Sequence, residues 1–352
     1  VKVAVYTIAL NEQQFVNRWY ESAKDADYLL IADTGSTDGT QDIAAKLDIN
    51  VYDISIKPWR FDSARNAALA LIPADIDFCI ALDMDEVLLP GWREHLENVY
   101  NTEVTRPRYK YTWSWNIDGS PGLQYGGDKI HARDGYIWKH PVHEVITADR
   151  ITEVQGWIDL EIHHHPDDTK SRGQYLPLLE LSVREDPTND RNAFYYAREL
   201  FFHGRVEESI KEFKRHLQLP TSIWKPERAA SMRYLAKMHI NQDREYWLDL
   251  AHKEDPSRRE ALVELAQYYY DTTNWERCYA VSKLALAIPE KPLDYLCEEF
   301  AWGFAPYDFA ALSAFYTGKF EEAKEYGKKA IEINPTDERL KRNLEFYTAE
   351  EI

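Results

Sequence analysis

Cysteine is scarce in this chain. Cys79, Cys278 and Cys297 are too few and too scattered for a disulfide framework, and a reducing, cytoplasmic setting is expected. Long apolar runs are missing as well. No stretch of about 18 apolar residues occurs, so nothing is expected to span a bilayer. No signal peptide is visible, and a soluble protein is expected. Basic excess is absent: 42 Lys and Arg face 60 Asp and Glu, a formal charge of −18. That balance argues against broad binding to nucleic acid or anionic membranes, which need a positive field. Two phosphate-binding glycine patterns are also lacking. No Gly-x-Gly-x-x-Gly follows the first strand and no Gly-x-x-x-x-Gly-Lys-Ser/Thr occurs, which disfavours a dinucleotide fold and a P-loop NTPase. What is present is a 352-residue chain, 44% hydrophobic, enough for two domains with sizeable cores.

Residues 78–86 read Phe-Cys-Ile-Ala-Leu-Asp-Met-Asp-Glu. An apolar run of strand length ends in two aspartates one residue apart. Open α/β sheets place ligands at such carboxyl ends. No Lys or Arg stands near Asp83 and Asp85 in the sequence, so the pair invites Mg²⁺ or Mn²⁺ and, with it, a nucleotide diphosphate. Alone, the motif reads equally as a strand ending in a solvated acidic turn. Its context is a βαβαβ pattern. Residues 1–10, 28–32, 51–56 and 78–82 are expected as strands. A turn at 34–40, whose Ser, Thr and Asp can cap, leads into a helix to about residue 47, and an Ala-rich helix is expected at 63–71.

Four segments in this order, TIALNEQQFV, IADTGSTDGT, FDSARNAAL and ALDMDE, resemble family 2 of the glycosyltransferases. The resemblance covers roughly the first 100 residues well and is looser from 101 to 165. It implies an α/β GT-A (nucleotide-diphospho-sugar transferase) domain and a metal-dependent, inverting enzyme acting on a nucleotide-diphosphate sugar, UDP-sugar favoured. Carried over residue by residue, Ala9 and Glu12 flank the nucleoside. Asp33 accepts from the base, which suits the N3–H of uracil. Arg65 faces the diphosphate. Asp83, with Met84 beside it, reaches the ribose or metal, and Asp85 binds the metal. The plain alternatives are strand-end acids for Glu12 and Asp33, a surface helix Arg for Arg65 and a helix cap for Asp38. The cap is the preferred reading for Asp38.

An inverting transfer also needs a carboxylate to take the acceptor's proton. The segment 138–144, Trp-x-x-Pro-Val-His-Glu, is similar to one in some bacterial members of the family, and it makes Glu144 the expected base with His143 its neighbour. Asp118, Asp128 and Asp134 are the reserves; a satisfied His and a surface Glu in a turn are the alternative. The His163-His164-His165 triplet ends an expected strand at 158–162. Neighbours on a strand point to opposite faces, which is poor for zinc. GT-A enzymes often take one late His as a metal ligand, and the resemblance assigns this to His164, with His163 and His165 as alternates. Lys170 and Arg172 beyond it reach phosphates from a closing loop, or else belong to a linker. Tyr109, Tyr111, Trp113 and Trp115 share one strand face and read mostly as core, with Trp113 and Trp115 reaching a pocket. Arg106, Arg108 and Lys110 form a small basic patch, a weak footprint for phosphate or nucleic acid.

From about residue 174 the texture is helical. Residues 194–220 and 309–335 share one layout, with Gly204 and Gly318 at the same offset before Glu-Glu. Residues 262–289 repeat it without the Gly, and 229–256 form a degenerate copy. This resembles tetratricopeptide repeats of about 34 residues, interrupted near 289–306 and capped by 336–352. The expected domains are thus 1–168, catalytic, and 169–352, an all-α helical-repeat (TPR-like) domain. Such a solenoid presents a concave face to an extended peptide or protein, lined in part by Tyr195, Tyr196, Tyr234, Trp247, Tyr268, Tyr269, Tyr270 and Trp275; many of these are equally core, and dimerisation is the other use of the repeats. A protein or peptide acceptor is favoured. A saccharide of the lipopolysaccharide-core type, a nucleobase, and a non-catalytic repeat scaffold are the other readings.

Overall fold

A computed structural model describes residues 1–100, 102–116, 118–167, 173–238 and 243–349. Lys170 and Arg172 lie outside the described residues. The chain divides into two compact units, Val1–Glu185 and Asp186–Ile352.

The first unit opens with β1 (Val3–Ala9), α1 (Val16–Ala23), β2 (Tyr28–Asp33), α2 (Thr40–Lys46), β3 (Asn50–Asp53), α3 (Phe61–Ala70) and β4 (Phe78–Ala81). There follow β5 (Glu86–Leu88), α4 (Trp92–Tyr100), β6 (Arg106–Thr112), β7 (Gln124–Gly127), β8 (Ile130–Ala132), β9 (Tyr136–Lys139), β10 (Val145–Ala148), β11 (Gln155–His164) and α5 (Tyr175–Glu185). The main sheet runs β3-β2-β1-β4-β8, parallel except for β8. Its four parallel strands are those expected, and crossover helices explain their apolar character on both faces. One core, on one side of the sheet, gathers Val3, Val5, Trp19, Ile31, Ile80 and Leu82; the other gathers Tyr6, Leu30, Ala68, Leu69 and Trp138. A second sheet, β5-β11-β6-β7, pairs β11 with β6 in parallel and was not foreseen. Helix α5 packs with this unit.

Strand β6 ends at Thr112, so the aromatic row divides. Tyr109 and Tyr111 are core, whereas Trp113 and Trp115 lie past the strand. The basic patch is consumed internally. Arg106 pairs with Asp128 (3.0 Å) and Glu153 (2.9 Å), Arg108 donates to the carbonyls of Gly126 and Gly127 (2.9 Å each), and Lys110 pairs with Glu161 (2.6 Å). The expected phosphate footprint is therefore corrected: these cations close the second sheet.

The second unit consists of helix pairs α6 (Asp190–Phe202) with α7 (Val206–Gln218), α8 (Lys225–Met238) with α9 (Asp243–Glu254), and α10 (Glu260–Asp271) with α11 (Trp275–Leu286). A short α12 (Glu299–Trp302) precedes the pair α13 (Ala305–Tyr316) with α14 (Phe320–Ile333), and α15 (Glu338–Ala349) caps the end. Buried Ser209, Cys278 and Ala323 sit where paired helices approach closely. Gly204 (φ 71°) and Gly318 (φ 74°) take the left-handed turn between helices. In the third pair Thr273 occupies that position at φ 55°. A Cβ on Gly318 would meet nothing within 4 Å, so the cost of a side chain there is purely conformational. Gly318→Ala should destabilise by roughly 1 kcal/mol, the left-handed penalty less the gain from a stiffer unfolded chain. Thr273→Gly should shift the urea midpoint the opposite way, by a smaller amount because glycine loses more entropy on folding.

The interruption between α11 and α13 folds back on the unit. Asp294 is held by Arg258 (2.5 Å) and Glu298 by Arg233 (2.7 Å); Tyr295 stacks on Tyr195 at 6.1 Å and donates to Glu227; Trp302 Nε1 donates to Glu260 (2.9 Å). These partners lie on or at the start of α6, α8 and α10, the first helices of successive pairs. This stretch of the expected peptide-binding face is occupied by the chain itself, and Tyr195 and Tyr269 are buried.

Candidate functional site

The carboxyl ends of β1, β2 and β4 lie side by side, with Ala9 in register with Asp33. Asp33 accepts from the backbone N–H groups of Gly35 (2.9 Å) and Ser36 (2.7 Å) through Oδ1. Burial alone would raise its pKa, but these donors hold it below the ordinary value. Its other oxygen, Oδ2, is buried and meets no donor in hydrogen-bonding geometry; the neighbouring Gln41 amide donates to Asp53 (2.7 Å) and helps to lower the Asp33 pKa from a distance. Glu12 is buried nearby, its N–H donating to Thr40 Oγ1 (2.8 Å). Asp38 accepts from Thr40 and Gln13, one residue ahead of the Gly39 cap of α2, and so serves the turn.

Helix α3 supplies the second wall. Its buried Ala64 and Ala68 let it lie close to the sheet, which turns Arg65 inward. Asn66 bonds the backbone of Trp138 in both directions (2.8 and 2.9 Å), and Phe61 N donates to Pro141 O (2.9 Å). The loop carrying His143 and Glu144 is thereby tied to the helix. Arg65 Nε donates to Glu144 Oε1 (2.5 Å) and its Nη2 to Asp83 Oδ1 (2.8 Å), and its guanidinium lies 5.0 Å from the Trp138 ring. Its Nη1 is buried without a partner. Burial disfavours the charge, but Asp83 and Glu144 more than offset this and raise the Arg65 pKa well above its usual value.

Two residues here were not singled out in the sequence. Lys129 Nζ bridges Asp83 Oδ2 (2.8 Å) and Glu86 Oε1 (2.7 Å), and Glu86 also accepts from Tyr111 (2.6 Å). Burial pushes the Glu86 carboxyl up, and neighbouring Asp83 adds to this. Asp83 itself is lowered: burial works against its charge, but Arg65 and Lys129 win. The expectation that no cation neutralises this carboxylate is corrected. The cations are distant in sequence and adjacent in space.

Asp85 stands apart from that network. Its Oδ2 lies 3.4 Å from His164 Nε2, and its carbonyl accepts from His165 N (2.8 Å). His164 Nδ1 bonds the Trp113 carbonyl (3.0 Å), and its ring stacks on Trp113 at 4.2 Å. This fixes the tautomer that leaves Nε2 toward Asp85, the arrangement of a metal-ligating histidine. Burial lowers its pKa, but Asp85 outweighs that and the value is raised. His163 pairs with Glu161 (3.0 Å) and His165 stacks on Trp115, whereas the ring that pairs with Asp85 is that of His164. An N,O donor pair whose Asp85 is partly exposed fits Mn²⁺ or Mg²⁺. Met84 is buried in the hydrophobic core and offers its side chain to nothing in the crevice. Asp128 is taken by Arg106, Asp118 by Ser120 (2.6 Å), and Asp134 is exposed beside Arg133. His143, at φ 50°, packs edge-on to Tyr175 at 5.7 Å.

Elsewhere, Asp190, His216 and Glu227 bring ligand atoms within 4.8 Å of one another. Both ring nitrogens of His216 already meet serines, Ser231 (2.8 Å) and Ser222 (3.2 Å). Burial, then Arg228 and Arg215, lower its pKa to about 4, a field hostile to a cation. Among the described residues no helix is long and apolar enough to cross a membrane.

No curated protein matches the sequence. Among solved structures, glucosyl-3-phosphoglycerate synthase from Mycobacterium tuberculosis, in complex with Mn²⁺, UDP and glucosyl-3-phosphoglycerate, is 22% identical over 31% of this chain and 44% of its own, with a TM-score of 0.27. Yeast Tom70 is 18% identical over 51% of this chain and 36% of its own (TM-score 0.37). A thermophilic TPR protein of Thermus thermophilus is 16% identical over 49% and 88% (TM-score 0.32). The chain thus spans less than half of the first two. The fold is an α/β GT-A domain followed by TPR-like helices. Residues 4–120 match the family model of glycosyl transferase family 2, and the first unit carries a domain of that family.

Proposed function

We propose that the first unit moves a sugar, with inversion, from a nucleotide-diphosphate sugar to an acceptor hydroxyl, UDP-sugar being the favoured donor. The observation that carries this reading is a pair of buried, unpartnered polar atoms, Asp33 Oδ2 and Arg65 Nη1, on the residues where the family motifs fall. An acceptor oxygen suits the N3–H of uracil. An unfilled guanidinium N–H suits a diphosphate oxygen. Leaving either buried group open costs stability, so a ligand that fills both is what such a crevice binds.

Asp85 and His164 would hold the divalent ion, and Asp83, engaged by Arg65 and Lys129, positions rather than ligates. When bound, the ion supplies Lewis-acid stabilisation of the departing diphosphate. Arg65 binds that same charge through Nη1. Glu144, oriented by Arg65, takes the proton of the acceptor hydroxyl as that oxygen attacks the anomeric carbon and the sugar–phosphate bond breaks. His143 stands beside it. The acceptor is a protein or peptide, since the second unit is a helical repeat. A saccharide acceptor is the second reading: Trp113 is 37% exposed while stacked on His164, an open ring face next to the metal pair.

The test is a thermal-shift panel of UDP, GDP, CDP and dTDP with Mn²⁺, Mg²⁺ or EDTA. Stabilisation by UDP that EDTA removes is expected, and about 2.7 kcal/mol at 100 times the Kd is readily seen. If no nucleotide shifts melting with either metal, the enzyme reading fails and a repeat scaffold remains. Asp33→Asn keeps the acceptor for Gly35 and Ser36 but turns an amide donor toward the base. UDP affinity should fall about 10- to 100-fold by titration calorimetry, with CDP, whose N3 accepts, losing less.

A further inference from the structure

We propose that Arg18 is a second guanidinium of the donor site, binding the diphosphate from the Asp85 side as Arg65 does from the Asp83 side; this rests on the donor reading above. Helix α1 runs against the segment that carries both aspartates. Trp19 Nε1 donates to the Leu82 carbonyl (2.9 Å), one residue before Asp83. Gln14, in the turn that leads into the helix, donates to Asp167 Oδ2 (3.2 Å), two residues beyond His165. Arg18 lies in the first turn of that helix, next to Trp19. Its guanidinium lies over Phe15 at 5.0 Å, and Phe15 is packed on the core. The fork is held in place.

Its Nε and Nη2 are buried and have no hydrogen-bond partner. A guanidinium does not deprotonate in a protein, so these N–H groups persist as unmet donors. Burial lowers its pKa while the charge of Asp85 acts the other way, so the two side chains share one field. Arg18 thus stands near Asp85 without pairing to it. A surface arginine would give these N–H groups to water, and a structural one would close on a carboxylate. Two adjacent unfilled donors call for an oxyanion that accepts a fork, as phosphate does. The neighbourhood selects the phosphate of the donor. Once Asp85 and His164 hold a divalent ion, a second cation beside it is stable only with an anion shared between them. Arg65, bonded to Asp83, likewise keeps a buried Nη1 without a partner.

Titration calorimetry in Mn²⁺ with UDP, uridine and pyrophosphate tests the assignment. Arg18→Met should weaken UDP and pyrophosphate about 10- to 100-fold and leave uridine within about twofold. Arg18→Lys should recover part of the loss, since it keeps the charge but not the fork. The melting temperature should stay near that of the parent. Equal weakening of UDP and uridine would mark Arg18 as merely structural and overturn the proposal, as would unchanged UDP binding. If the parent protein binds neither UDP nor pyrophosphate, the donor reading itself falls, before Arg18 is in question.

Discussion

Arg65→Met should be the most damaging single substitution in the first unit, costing about 3–5 kcal/mol of stability and abolishing nucleotide binding. The side chain is 7% exposed and bonds Asp83 and Glu144 at once. Around it two cations, Arg65 and Lys129, face three carboxylates, Asp83, Glu86 and Glu144. Removing the guanidinium leaves Glu144 without its cation and throws the charge of Asp83 on Lys129, which already serves Glu86. Methionine fills the volume and isolates the charge effect from a cavity. Urea denaturation should show a lower midpoint at nearly constant slope. Arg65→Lys should fall between, because an ammonium cannot fork to two carboxylates in fixed geometry. The double variant Arg65→Met with Glu144→Gln should recover much of the stability, since losing both partners costs less than stranding one. It should recover none of the nucleotide affinity, because Nη1 is still gone. A stability loss under about 1 kcal/mol in Arg65→Met would mean that water reaches Asp83 and Glu144 freely and that the network is a surface feature.

How far such a network is legible in sequence depends on chain separation. Asp33, Asp83 and Asp85 announce themselves because each ends an apolar run, and a parallel sheet brings strand ends together whatever lies between. The repeats are legible for the same reason: local periodicity sets helix pairing, and Gly204 and Gly318 mark turns that need a left-handed residue. Thr273 takes the same left-handed turn in the third pair with no glycine to mark it. Lys129 is 46 residues from Asp83 and 43 from Glu86, and no local pattern links them. Nothing in the triplet 163–165 tells which ring meets Asp85; the pairing of β11 with β5 decides it, placing His164 opposite Glu86. The patch formed by Arg106, Arg108 and Lys110 gives no phosphate site because its partners, Asp128, Glu153, Glu161 and the Gly126 and Gly127 carbonyls, arrive from segments distant in sequence. Arg18 has no sequence mark at all, and only its unmet donors single it out.

Glu144→Gln should lower turnover by about 10²- to 10⁴-fold, the usual contribution of a positioned base, while leaving nucleotide affinity close to that of the parent. Glutamine keeps an oxygen for Arg65 Nε and the same shape, so the loop bearing it should remain tied to α3 through Phe61, Asn66 and Trp138. What it loses is the ability to accept a proton. The measurement does not wait for the natural acceptor. Water is an acceptor in every solution, and slow release of UDP from a UDP-sugar needs the same proton removed. Comparing that release for the parent and Glu144→Gln, at saturating Mn²⁺ and donor, isolates the base. The reserves compete poorly on geometry: Asp128 is spent on Arg106, Asp118 on its own turn, and Asp134 lies out in solvent. Unchanged release with unchanged affinity would remove Glu144 from the chemistry. Its tie to Arg65 would then be its whole function, holding the guanidinium at the angle that leaves Nη1 open to the phosphate.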